Sequence, residues 1–143
     1  MEKRDIDWGN LGFGYVKTDY RYVSNFKGGA WDEGGLITDD TVTISECACV
    51  LQYAQTVFEG MKAYTTEDGR TVVFRPDLNA KRLKDSAERL EMPAFPEERF
   101  LDAIRQLVKA NEAYVPPYGS GASLYIRPYI FGTNPVIGVK PAD

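Results

Sequence analysis

Residues 56–75 read TVFEGMKAYTTEDGRTVVFR, and no other stretch limits the fold as strongly. Two runs of β-branched and aromatic residues flank Asp68-Gly69, a pair suited to tight turns because glycine readily takes the positive φ they require. A β-hairpin is therefore expected. In its first strand Val57, Glu59, Met61 and Ala63 share one face, and Phe58, Gly60, Lys62 and Tyr64 share the other. Neither face is wholly apolar, so one side is expected to be covered and the other to line a pocket.

The hydrophobic period then changes from two to 3.6. Pro76 suits a first helical turn and Asp77 complements the positive end of the helix dipole. Ala80, Leu83, Ala87 and Leu90 form an apolar stripe through 76–90, with Arg82, Ser86 and Arg89 on an adjoining flank. EMPAF breaks this helix. A second one opens on Glu97 and Glu98, is expected to bury Phe100, Leu101, Ile104, Leu107 and Val108, and ends at VPPYGSG. ASLYIRPYIFG reads as a strand, with Leu124 and Ile126 on one face and Tyr125 and Arg127 on the other. Pro128 fits a strand end or sheet edge, since it has no N–H to donate.

Upstream, the first forty residues are rich in glycine and aromatics, Phe13 and Trp31 among them. DYRYVSNF reads as a strand, FKGGAWDEGGL as a turn between strands, and TVTIS as a short strand. Ser45 is placed to cap a brief helical segment through Cys49. Together these elements predict an α+β fold: an antiparallel, meander-like sheet with two adjacent helices packed on one face.

A chain of 143 residues suits one domain. Its net charge of −4 argues against a nucleic-acid surface, although a local basic group can still hold one phosphate. No run approaches the roughly 20 apolar residues that span a bilayer, and MEKRDIDWGN lacks the apolar core of a secretory signal. Cys47 and Cys49 stand too close for a disulfide framework and read as reduced thiols of a cytoplasmic protein. The chain contains no histidine, so no histidine-based triad can be built within it, and no metal site is expected.

Three polar features have chemical potential. Arg82 can hold a phosphate with two hydrogen bonds, or it can be a solvated residue on a helix face. Tyr125 beside Arg127 suits a carboxylate ligand, and equally suits a structural cation–π or ion-pair contact. Lys62 would need desolvation or a nearby positive charge to act as a catalytic amine, and a surface lysine is the simpler reading. GNLGFGY is a loose glycine cluster with no strand before it or helix after it, which does not make a dinucleotide site.

Several segments, in order, resemble the branched-chain aminotransferases, class IV enzymes of fold type IV that depend on pyridoxal 5'-phosphate. They are YAQTVFEGMKAY, FRPDLNAKRLKDSAERLEMP and SLYIRPYIFGTNPVIGV, with FGYVKTDYRYV and GGAWDEGGLITDDTVTISE ahead of them. The resemblance implies that Arg82 grips the cofactor phosphate. It places Tyr125 and Arg127 on the substrate side, and Tyr53 in a substrate pocket, that of the other subunit of a homodimer. Ile137 and Val139 would reach across to the partner's apolar pocket, and Tyr15 would belong to a pocket wall.

The resemblance further implies that residues 1–143 are the amino-terminal, smaller domain. The lysine that binds the cofactor as a Schiff base would lie in a carboxy-terminal domain beyond Asp143, so no catalytic residue is expected here and the chain alone would be inactive. The whole enzyme would exchange the amino group of leucine, isoleucine or valine with 2-oxoglutarate, forming 2-oxo acids and glutamate by a ping-pong route. Replacing Arg82 would then weaken cofactor retention far more than folding. Other readings are a non-catalytic association domain, a D-amino acid transaminase and an aminodeoxychorismate lyase.

Overall fold

The computed structural model describes residues 2–12 and 14–143, so Phe13 of the aromatic opening segment lies outside the described residues. The amino-terminal third carries β1 (Arg21–Val23), β2 (Phe26–Lys27), β3 (Ala30–Trp31), β4 (Gly35–Ile37) and a short helix α1 (Cys49–Tyr53). Next come β5 (Thr56–Phe58), β6 (Met61–Thr65), β7 (Thr71–Val73), and the helices α2 (Pro76–Arg89) and α3 (Glu97–Ala110). A 3₁₀ turn at Glu112–Tyr114 leads to β8 (Leu124–Ile126) and β9 (Tyr129–Phe131).

The α+β expectation holds, with every strand pair antiparallel and the strands distributed over small sheets. The hairpin is formed by β6 and β7, and Gly69 takes a φ of 81° in its turn. After the two helices, β8 returns to the other side of β6, pairing Met61 with Ile126, Lys62 with Tyr125 and Ala63 with Leu124.

Each of the two long strands expected from sequence is interrupted. TVFEGMKAY breaks at Glu59 and Gly60, so that β5 pairs with β9 while β6 pairs with β7 and β8. ASLYIRPYIFG breaks at Arg127 and Pro128, where the ladder loses a donor. The two breaks meet, because the Glu59 N–H donates to the Pro128 carbonyl at 2.8 Å.

Alternation nevertheless runs through the break. Val57, Glu59, Met61 and Ala63 are all buried, and Phe58, Gly60, Lys62 and Tyr64 are all exposed. The buried face meets both helices: Met61 and Ala63 join Leu83 and Ala87 of α2 and Phe100 and Ile104 of α3 in one core. Burial of this apolar surface, at roughly 25 cal/mol per Å², is what fixes the helices on that face.

Three local expectations are corrected. Leu90 is exposed, because α2 ends at Arg89 and Glu91 turns left-handed (φ 54°), with the Met92 N–H donating to the Ala87 carbonyl at 2.9 Å. Residues 41–45 form no strand. Asp39 instead accepts both the N–H and the hydroxyl of Thr41 in a side-chain turn, which competes with a ladder. Ser45 caps no helix, since its hydroxyl accepts the Cys47 N–H in the turn before α1.

The amino-terminal strands are tied to α3 by Asn111, which is 2% exposed. Its side chain accepts from the Tyr20 N–H and donates to the Tyr20 and Leu107 carbonyls, each at 3.0 Å. Asn111→Ala strands these buried groups, and is expected to destabilise the chain by about 2–3 kcal/mol. Urea denaturation checks this; an unchanged midpoint would show that Asn111 fastens nothing.

Candidate functional site

The sequence around the strand break decides the geometry of the site. Glu59 alternates with the apolar residues of its strand, so its carboxylate enters the core side and is only 5% exposed. A buried carboxylate persists only with partners. Arg82 and Asn79, one turn apart on α2, supply them. Arg82 donates Nε to Oε1 and Nη2 to Oε2, each at 2.6 Å, and Asn79 donates Nδ2 to Oε2 at 2.7 Å. Asn79 also reaches the Gly60 carbonyl at 3.3 Å, which joins the helix to the strand break.

Burial pushes the Glu59 carboxyl upward. The hydrogen bonds from Arg82 and Asn79 and the charge of Arg82 outweigh it and hold the carboxyl below its ordinary value. The same Glu59 hydrogen bonds and charge raise the Arg82 guanidinium, which stays cationic. Arg82 is thus anchored at one edge by a buried group, while its side chain remains 63% exposed. Among the described residues Nη1 has no hydrogen-bond partner, so an outward edge is left for an anion. The sequence left Arg82 open between phosphate ligand and solvated residue; the structure gives it a fixed orientation that a merely solvated arginine would lack.

The opposite face of the same corner holds Tyr125 and Arg127. Arg127 donates Nε and Nη2 to the Tyr125 hydroxyl at 3.2 and 2.8 Å, and its guanidinium lies 4.3 Å from the centre of the Phe58 ring. Lys62 is exposed on the same sheet face, in register opposite Tyr125. The result is an exposed phenol–guanidinium pair on an aromatic base, a group of residues suited to a carboxylate next to an apolar side chain.

Phe58, Glu59, Gly60 and Asn79 are absent from the site residues expected from sequence. One signal pointed to Glu59: a carboxylate in phase with Val57, Met61 and Ala63 requires a cation. The roles of Phe58 and Gly60 depend on the pairing of β5 with β9 and of β6 with β8, non-local contacts that no local pattern specifies.

Among the described residues, the remaining sequence-derived residues share no hydrogen bond or cation–π contact with this corner. Tyr53 ends α1 and is exposed, Tyr15 is exposed in the amino-terminal segment, and Ile137 and Val139 project from the carboxy-terminal segment. A groove of about 560 Å³ lies elsewhere, between β7 and α3, lined by Val73, Pro76, Ile104 and Lys109 among others. Its lining includes none of Glu59, Arg82, Tyr125 or Arg127. The candidate site is therefore an open face on this chain and not that groove. Among the described residues no cluster of side chains suited to a metal ion occurs, and no helix is long and apolar enough to cross a membrane.

An antiparallel α+β domain that presents an anchored guanidinium and a phenol–guanidinium pair is a platform for anionic ligands. The family model of amino-transferase class IV matches residues 56–142, which contain both groups, and the chain belongs to that family. It is 51% identical over 139 residues to a branched-chain-amino-acid aminotransferase of Haemophilus influenzae, covering 97% of this chain and 40% of that protein. The branched-chain amino acid aminotransferase of Escherichia coli superposes with a TM-score of 0.61 at 28% identity, over 85% of this chain and 38% of that one. That of Thermoproteus uzoniensis, solved with norvaline, gives a TM-score of 0.59 at 26% identity, over 83% of this chain and 36% of that one. The chain thus spans about 40% of the length of the curated relative it matches.

Proposed function

We infer that this chain is the amino-terminal domain of a branched-chain aminotransferase. The full-length enzyme moves the amino group of leucine, isoleucine or valine to 2-oxoglutarate. The observation that carries this reading is the anchored Arg82, whose outward edge is free for a phosphate while its inner edge is fixed by buried Glu59. The similarity to branched-chain enzymes supports the substrate class.

Pyridoxal phosphate, when bound, supplies the electron sink for amino-group transfer. Arg82 fits its phosphate group in charge, in donor geometry and in exposure. The part of this chain is to bind and orient. Arg82 grips the phosphate, Arg127 and Tyr125 receive substrate carboxylate, and Phe58 offers apolar surface to the side chain. Tyr53, Ile137 and Val139, exposed here, serve the partner subunit of a homodimer, and Tyr15 lines a pocket wall completed on assembly. The lysine that holds the cofactor lies in a further domain, so residues 1–143 alone turn over nothing. Cys47 and Cys49 are free thiols, which suits a cytoplasmic enzyme.

Purified full-length protein, given pyridoxal phosphate, leucine and 2-oxoglutarate, is expected to form glutamate, and to do so with isoleucine and valine. Failure with all three donors under saturating cofactor would refute the assignment.

A further inference from the structure

The Tyr125 phenol occupies the space that a side chain at position 60 would fill. A Cβ placed on Gly60 would overlap the Tyr125 hydroxyl oxygen, and would stand 3.1 Å from Cζ and 3.4 Å from Cε2. Backbone strain does not explain the glycine, because Gly60 is not among the residues with positive φ. An alanine is therefore conformationally permitted, and what it meets is the tip of one half-exposed side chain. Tyr125 would yield before the backbone does.

Its displacement would propagate. The hydroxyl that would be pushed away is the one accepting both Arg127 hydrogen bonds, and Arg127 in turn is stacked over Phe58. Gly60 itself is fixed from the other side, since its carbonyl accepts from Asn79, which also holds Glu59. We propose that Gly60 is a positioning residue for substrate: its missing side chain seats the Tyr125 phenol against the strand break, and thereby sets Arg127 toward the carboxylate of an amino acid or 2-oxo acid. This role rests on the aminotransferase reading above. The positioning itself has a separate structural readout.

In the full-length enzyme, Gly60→Ala is expected to raise KM for amino acid and 2-oxo acid by about tenfold or more, with kcat changed by less than about threefold. Cofactor content and melting temperature stay at the wild-type values. In a Tyr125→Phe background, which lacks the overlapped oxygen, the same substitution is expected to change KM by about threefold or less. An equal effect in both backgrounds overturns the proposal.

A crystal structure of Gly60→Ala reads the positioning without turnover. A shifted phenol and broken Arg127 contacts support it, and an unmoved Tyr125 overturns it. Should the wild-type enzyme transfer no amino group at all, the aminotransferase reading fails and the crystal structure alone decides the positioning role.

Discussion

Replacing Arg82 by alanine in the full-length enzyme is expected to raise the dissociation constant for pyridoxal phosphate by about a hundredfold or more. Two charge-assisted hydrogen bonds to one phosphate are of that order. Equilibrium dialysis measures it directly. Arg82→Lys should fall between, because an ammonium cannot serve Glu59 and a phosphate with the same planar fork.

The resemblance implies that loss of Arg82 weakens cofactor retention far more than folding, and the structure adds a folding cost to that expectation. Removing Arg82 leaves the buried Glu59 carboxylate with Asn79 as its remaining side-chain donor among the described residues. The alanine variant should therefore also lose stability, and Arg82→Ala combined with Glu59→Gln should regain part of it. Unchanged cofactor affinity in Arg82→Ala would remove the phosphate assignment. Strict additivity in the double variant would remove the anchor.

Glu59→Gln is the second substitution with a large expected effect. The amide keeps the shape but cannot accept on both sides of Arg82, and the expected loss at pH 7 is about 1–2 kcal/mol. The pH dependence is more diagnostic. The folded carboxyl is held below its ordinary value of 4.5, so the unfolded chain takes up a proton first as pH falls. The stabilisation is therefore fully present above about pH 4.5 and is lost as pH drops through the lowered folded-state value. Urea midpoints of wild type and Glu59→Gln should differ at pH 7 and converge in acid. A difference that persists unchanged through the acid range would contradict the ionised pair.

The helices were legible in the sequence because their signals are local: Pro76 and Asp77 opening α2, Glu97 and Glu98 opening α3, and an apolar period on each. So was the alternation of residues 57–64, which divides a core face from an exposed face without gaps. The strand breaks were not legible. Whether Glu59 and Gly60 continue a ladder depends on β9 and β8, more than sixty residues away in sequence. The residues 41–45 mislead for a related reason, since β-branched composition produces a strand only where a partner strand is available.

The site follows the same division. Arg82, Tyr125 and Arg127 stood out in the sequence as polar features, their roles came only from a resemblance, and the structure adds what orients them: Glu59 and Asn79 for one, Gly60 and Phe58 for the others. Three consecutive residues, Phe58, Glu59 and Gly60, each touch or make room for a different member of the site. The most conspicuous polar residue of that stretch, Lys62, faces outward next to Tyr125.

Arg82, held at its inner edge by Glu59, is expected to present its outer edge to a phosphate. A crystal structure of the full-length enzyme with pyridoxal phosphate tests it most directly. A phosphate oxygen within hydrogen-bond distance of the Arg82 guanidinium, with Glu59 still holding Nε and Nη2, is the predicted result. A phosphate seated on other groups, with Arg82 bonded to Glu59 alone, would contradict it.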